Sequence, residues 1–323
     1  MNQHEHLLRA GTTTNDAYAL DVGPARAGWT YSGLRVLDLA PGASATVDTG
    51  QAETLVLSLS GGCVVECEGE SIDVVGRANV FTGVSDLVYL PRDAQARVHS
   101  AGGGRFALPS AVCERRLSVQ YLPADAVPVE LRGAGRASRQ VNNFGTPDVL
   151  DADRIIACEV LTPAGNWSSF PPHKHDEDRP GESVLEEIYY FEVGDGPAGP
   201  GIGYQRVYTR PDTHPGRELD LLAEVRTGDV VTMPYGWHGP SMAVPGYDLY
   251  YLNVMAGPGE RAWRICDDPV HAWVRDTWED EAVDSRLPFP TNPQPTAESD
   301  ESVGDKRVQG TEPSLSAQGR SAR

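Results

Sequence analysis

From residue 29 onward, apolar and polar positions alternate in short runs, each closed by glycine or proline. The runs are GLRVLDLAPG, TLVLSLSGG, CVVECEGE, SIDVVG, DLVYLP and ARVHS. A period of two over a short run is the pattern of a strand with one buried face, and the closing residues are those that turns require. FALPSAVCERRLSVQYL continues the series. Residues 123–150, with Gly133, Gly135 and Gly145, predict a linking segment. Near Ile155 the rhythm starts again with RIIACEVLTPAGNWSSF, LEEIYYFEV, GYQRVYT, VVTMP and YDLYYLNVMAG. Pro163 and Gly165 follow the first strand of this second series as Pro41 and Gly42 follow that of the first. The pattern therefore predicts an all-β chain of two jelly-roll β-barrels that arose by internal duplication, one over residues 29–122 and one over 151–287. A polar lead-in, residues 1–28, precedes them. RAWRICDDPVHAWVRDTWED predicts a closing segment with some helix. Residues 288–323 are poor in apolar side chains and cannot offset the entropy of ordering, which predicts a disordered tail.

Composition agrees with this reading: 34 glycines and 25 prolines in 323 residues suit a turn-rich β protein. A formal charge of −19 argues against nucleic acid or an anionic membrane as a partner. Five cysteines, odd in number and without a Cys-x-x-Cys pair, predict reduced thiols in a cytoplasmic protein. No apolar run reaches the ~18 residues of a membrane span, and the N-terminus lacks the apolar core of a signal peptide.

The chemistry gathers in one stretch, SSFPPHKHDEDRPGESVLEEIYY. His173 and His175 alternate with Lys174, so in extended chain both imidazoles share a face. Glu186 and Glu187 follow; alternation lets only one of them meet the histidines, and the pattern leaves open which. His238, in TMPYGWHGP, is expected in a turn after a strand. Together these are donors for a divalent transition metal. The first unit offers no such set, since ASATVDTGQAETLVLSLSG has no histidine and only His99 lies late in the unit. It is expected to be a degenerate copy. GDGPAG, residues 194–199, matches Gly-x-Gly-x-x-Gly, but Pro197 and Pro200 interrupt it and a strand follows, so it predicts a hairpin loop.

His-x-His, a later glutamate and Gly228-x5-Pro234-x-Gly236-x-His238 resemble the two motifs of cupins. NWSSFPPHKHD, LEEIYYFEV, GYQRVYT, YDLYYLNVMAGP and HAWVRDTW, with AGWTYSGL and RQVNNF, are similar to the 5-deoxy-glucuronate isomerase family of inositol catabolism, a relative of the 5-keto-4-deoxyuronate isomerases. The resemblance runs from about Trp29 to about Leu287. It implies a bicupin whose C-terminal barrel holds one divalent ion (zinc, manganese, nickel or iron) on His173, His175, Glu187 and His238. It also implies conversion of the aldose 5-deoxy-glucuronate to the ketose 2-deoxy-5-keto-gluconate, by a cytoplasmic homo-oligomer. The cupin pattern is stretched here, with 11 residues, Asp176 to Glu186, between His175 and Glu187. The second motif is one residue short before its histidine. For the proton transfers the sequence offers Glu186 and Tyr204 first, then Glu182 and Tyr189. For the substrate carboxylate it offers Lys174 and Arg206. A cupin dioxygenase and a non-catalytic sugar-acid-binding cupin are the alternatives that the metal motif alone allows.

Overall fold

A computed structural model describes residues 5–15 and 18–290. The expected tail lies outside the described residues from position 291 onward. Strands between residues 18 and 122 form a nine-stranded antiparallel sheet. Its central strand, Ala52–Cys67, bends at Gly61 and Gly62 and serves both faces of the barrel. The first half of this strand pairs with Leu87–Leu90 and Gly104–Val112, the second with Glu70–Arg77 and Gln95–Ser100. Gly61 has φ +77° and packs so closely on Gly103 that a Cβ would collide with its carbonyl, so only glycine lets the strand turn here. Val47, Val56, Val65, Val98 and Phe106 fill the interior.

The second half builds two facing sheets. The larger runs Leu7–Leu8, Val230–Met233, Glu186–Val193, Leu249–Ala256, Ile156–Thr162, Arg139–Asn142, Val129–Arg132. The smaller runs Asp220–Val225, Gly203–Tyr208, Trp237–Ala243, His173–Lys174, Cys266–Asp267. Tyr189, Phe191, Val207, Val225, Val231 and Tyr251 pack between them. The other face of the larger sheet is also covered: Ile188, Tyr190, Leu252 and Val254 pack with Leu34, Val36, Leu55 and Leu57 of the first half. A strand buried on both faces has no reason to alternate, which is why Ile188–Phe191 reads as an unbroken apolar run and Leu249–Ala256 as one interrupted only by Asn253.

Several elements differ from the expectations. The polar lead-in contributes Leu7–Leu8 to the edge of the second half's sheet and Tyr18–Val22 to the first half's. The linking segment adds two more strands, Val129–Arg132 and Arg139–Asn142, beside Ile156–Thr162. Residues 194–202 do not close a hairpin; they carry the chain from the larger sheet to the smaller, because Glu186–Val193 and Gly203–Tyr208 pair with different partners. The closing segment forms 3-10 turns at Ala272–Glu279.

Polar contacts, some of them buried, join the halves. The Glu53 carboxylate accepts the backbone N–H groups of Asp153, Arg154 and Ile155 at 2.8, 2.6 and 2.7 Å. Reciprocally, the Glu186 carboxylate accepts those of Thr30, Tyr31 and Ser32 at 2.7, 2.7 and 2.9 Å. Arg77 of the first half and Glu159 of the second form an ion pair that is almost wholly buried. Tyr250 and Asn142 also donate to that carboxylate, at 2.8 and 3.0 Å.

Candidate metal centre

The short extended stretch at His173 lies antiparallel to Trp237–Ala243, with His173 directly opposite His238. His238 therefore sits on a strand, not in the turn expected for it; the turn ends at Gly236, where φ is +93°. Glu187 reaches across from the larger sheet, so the candidate ligands bridge the two sheets of one barrel. His175 Nε2 and His238 Nε2 lie 3.0 and 2.9 Å from Glu187 Oε2. The ring of His173 is 4.4 Å from that of His238, and the His175 ring is 4.8 Å from it.

The far side of each ring is held. His175 Nδ1 is 3.1 Å from the Leu185 carbonyl and His238 Nδ1 is 3.3 Å from the Gly236 carbonyl. Both carbonyls can only accept, so each Nδ1 carries a proton, and each Nε2 is left as the atom that faces the Glu187 carboxylate and could ligate an ion. All four side chains are buried. Three of their polar atoms, His173 Nδ1, Glu187 Oε1 and His238 Nε2, are buried without a hydrogen bond, the last being close to Glu187 but out of line. Buried orphans of this kind are costly, and a divalent ion held by His175, Glu187 and His238 would satisfy the two that belong to that cluster, Glu187 Oε1 and His238 Nε2. The residues fit a metal. Burial alone would raise the Glu187 carboxyl, but His238 and His175 outweigh it and hold it well below the usual carboxylate range. Burial and the facing His238 push His173 well below its ordinary value, so its ring is neutral and free to ligate.

Beside His173 opens a cavity of about 190 Å³. Tyr189, Tyr251, Ser169, Asn253, Arg132, Arg139 and Arg275 supply its polar wall, and Val141, Val160, Trp263 and Ile265 the apolar one. Ser169 Oγ joins the two phenols, 3.2 Å from the Tyr189 hydroxyl and 2.9 Å from that of Tyr251.

The structure brings the donor atoms of His175, Glu187 and His238 within 4.8 Å of one another, leaves His173 beside this cluster with its ring 4.4 Å from that of His238, and separates the other four candidates from them. Glu186 points to the opposite face from Glu187, away from the histidines, and its carboxylate accepts the amides of residues 30–32. Lys174 points away from its two histidine neighbours to Asp176, Glu182 and Glu177, at 2.8, 2.7 and 3.2 Å, and is not among the residues that line the cavity beside His173. On Gly203–Tyr208 it is Gly203, Gln205 and Val207 that face inward. Tyr204 and Arg206 thus lie on the outer face, where Arg206 pairs with Asp220 and covers the Tyr208 ring at 5.0 Å. Glu182 is likewise spent on Lys174 and Arg179. Of the groups offered for proton transfer, Tyr189 alone lines the cavity. The three arginines and Tyr251 were missed. Arg139 and Arg275 stand inside RQVNNF and HAWVRDTW, two of the segments that carry the resemblance.

The sequence matches the model of the KduI/IolB family over residues 6–274. It is 39% identical over 274 residues to a 5-deoxy-glucuronate isomerase of Geobacillus kaustophilus, covering 84% of this chain and 95% of that one. An IolB-like protein from Salmonella typhimurium LT2 superposes with a TM-score of 0.75 at 35% identity, over 83% of this chain and 98% of that one. Oxalate decarboxylase of Bacillus subtilis, at 12% identity, TM-score 0.55 and 81% and 79% coverage, shares the fold alone. On the span and closeness of these matches, the chain belongs to the KduI/IolB family.

Proposed function

We propose that this protein is a metal-dependent 5-deoxy-glucuronate isomerase, converting that aldose to 2-deoxy-5-keto-gluconate. One observation carries the reading: a buried cluster of two imidazoles and a carboxylate, His175, His238 and Glu187, has orphaned polar atoms, and His173 beside it lines a small polar cavity. The relatives named for this activity support it, at 36–39% identity over most of their length. The reaction is redox-neutral. A hydrogen leaves C2 and one arrives at C1, while the C1 carbonyl becomes a hydroxyl and the C2 hydroxyl a carbonyl.

In this proposal His173, His175, Glu187 and His238 hold one divalent ion, and zinc, manganese, nickel and iron all accept such ligands. Bound there, the ion would supply a Lewis acid for the charge that builds on the C1 and C2 oxygens. The chain's own share is positional and protic. Tyr189, two residues from Glu187 on the same face, has its phenol pushed well above its ordinary value by burial and then by the Glu187 charge. It stays protonated and serves as a donor to the C1 oxygen, and Ser169 and Tyr251 behind it complete a chain of hydroxyls able to take up the proton that the C2 hydroxyl releases. Val141, Val160, Trp263 and Ile265 keep bulk water from the cavity wall.

We also infer that the two halves are duplicated cupin barrels. Glu53–Thr54 and Glu186–Glu187 lie at the start of corresponding strands, and each first glutamate accepts three amides at the entry to a strand of the other half. Thr54 then stands where Glu187 stands, and its hydroxyl is buried and unpaired, as in a copy that has lost its metal. Five free thiols fit a reducing compartment such as the cytoplasm. Among the described residues no helix is long and apolar enough to cross a membrane.

The test is a proton NMR time course of 5-deoxy-glucuronate in D2O, with and without a chelator. Conversion to the ketose that stops on chelation and returns with metal is the expected result. No conversion under any metal supplement sinks the isomerase reading.

A further inference from the structure

We propose that Arg139 recognises the carboxylate of the substrate, so that the cavity holds a polyhydroxy monoacid by both ends. The identity of the reacting end rests on the isomerase reading; the anion site does not. Arg139 opens the strand Arg139–Asn142 and is 5% exposed. Its Nη1 donates to the Ala137 carbonyl at 3.0 Å, and its guanidinium lies 5.4 Å from the centre of the Trp278 ring. Among the described residues no carboxylate lies within ion-pair distance of it.

Its neighbours on the same wall are different. Arg132 is paired with Glu130 through two bonds of 2.8 and 2.7 Å. Arg275 is paired with Asp267 through two bonds along one guanidinium edge, from Nε and Nη2. Three cations against two carboxylates leave one positive charge, and Arg139 bears it. A buried charge without a counter-ion is destabilising, and elsewhere in this protein it is avoided, as at Arg77 with Glu159. Burial above all, then the facing Arg132 and Arg275, bring the guanidinium down to about 10 against an opposing pull from Tyr251. It remains a cation at neutral pH. One net charge calls for one carboxylate, and the fork of N–H groups suits that planar acceptor.

The rest of the wall suits the hydroxyls of a sugar acid. Asn253 Oδ1 is buried and lacks a donor, and Ser169 and Tyr251 present hydroxyls. His173 lies on the same cavity, so an acid anchored on Arg139 extends toward the ligand cluster. The cation that the sequence suggested on Lys174 or Arg206 is thus supplied from the linking segment.

The experiment uses the metal-loaded full chain and the variants Arg139→Gln, Arg139→Lys and Arg206→Gln. Binding of D-glucuronate and of D-glucose is measured by calorimetry, and kcat and KM for 5-deoxy-glucuronate by NMR. Wild type and Arg206→Gln should prefer glucuronate. Arg139→Gln should lose at least about thirtyfold in glucuronate affinity, the effect of truncating one partner of a buried charge pair. Its glucose binding should hold, and its unliganded Tm should stay level or rise, since an uncompensated buried charge has gone; a merely structural arginine would lower it. Should Arg139→Gln not fold, Arg139→Lys carries the test, keeping the charge without the fork and weakening glucuronate about tenfold. An unchanged glucuronate preference in the Arg139 variants, or its loss in Arg206→Gln, overturns the proposal. A wild type that prefers glucuronate through Arg139 yet turns over no 5-deoxy-glucuronate would defeat the isomerase reading alone. Turnover with KM untouched by Arg139→Gln would defeat the anion site alone.

Discussion

Glu186 and Glu187 are adjacent in sequence and do unrelated work, because the strand they begin is buried on both faces. One carboxylate closes on backbone amides of the other half; the other meets two imidazoles. Replacing Glu187 by Gln should cut bound metal, read by elemental analysis, by at least about tenfold and abolish turnover. Glu186→Gln should leave metal content intact and lower Tm instead. Asp176 is the other residue whose role is local and traceable. Its carboxylate accepts Lys174 Nζ, the Gly236 amide and His214 Nε2, each at 2.8 Å, and so ties the His173–His175 stretch to the turn before His238. Burial would raise this carboxyl, but Lys174, the Gly236 amide and His214 hold it well below its ordinary value. A depressed carboxyl adds stability above its unfolded value of about 4, and that stability is lost as pH falls below it. Urea midpoints should therefore drop between about pH 5 and 3 in the wild type and drop less in Asp176→Asn.

At the scale of elements, Trp237–Ala243 decides the site. It holds His238 opposite His173 and carries Gly239 immediately after, with φ +101° and its Cα so close to Ser169 that any Cβ would strike that carbonyl. Gly239→Ala should cost about 2 kcal/mol or more by chemical denaturation and disturb both His238 and the Ser169 hydroxyl. Gly203–Tyr208 shows where pattern reading reaches its limit. GYQRVY alternates, so two phases are open, and the aromatic and basic set looked the more functional. The structure chose the other phase: small or neutral Gly203, Gln205 and Val207 fit the barrel interior, while Tyr204, Arg206 and Tyr208 cover its outside. The arginines of the cavity lay in segments with no metal motif of their own, and only the fold of the linking strands and the closing turns brings them beside His173.

For the whole molecule, the halves share one hydrophobic cluster and several buried polar ties, so they should unfold together. Glu159→Ala strands the Arg77 guanidinium in the interior and should cost about 3–5 kcal/mol. At the two to four degrees per kcal/mol typical of this size, Tm should fall by about 10 °C in a scanning calorimeter, with the transition still single. Two separate transitions would mean that the halves are independent.

Sequence alone determined the class of fold, the His-x-His pair, the late histidine and a glutamate at one of two adjacent positions. These are local matters: side-chain period, turn chemistry and donor type are properties of a few consecutive residues. Tertiary structure decided what depends on which surfaces meet. It selected Glu187 over Glu186, buried Lys174 among acids, turned Tyr204 and Arg206 outward and assembled a cationic wall from residues 132, 139 and 275. Lys174 meets acids two to eight positions away and Arg206 an acid on the neighbouring strand, while Glu186 and the cationic wall depend on partners far along the chain; in each case a strand's own sequence does not encode which neighbour will cover it.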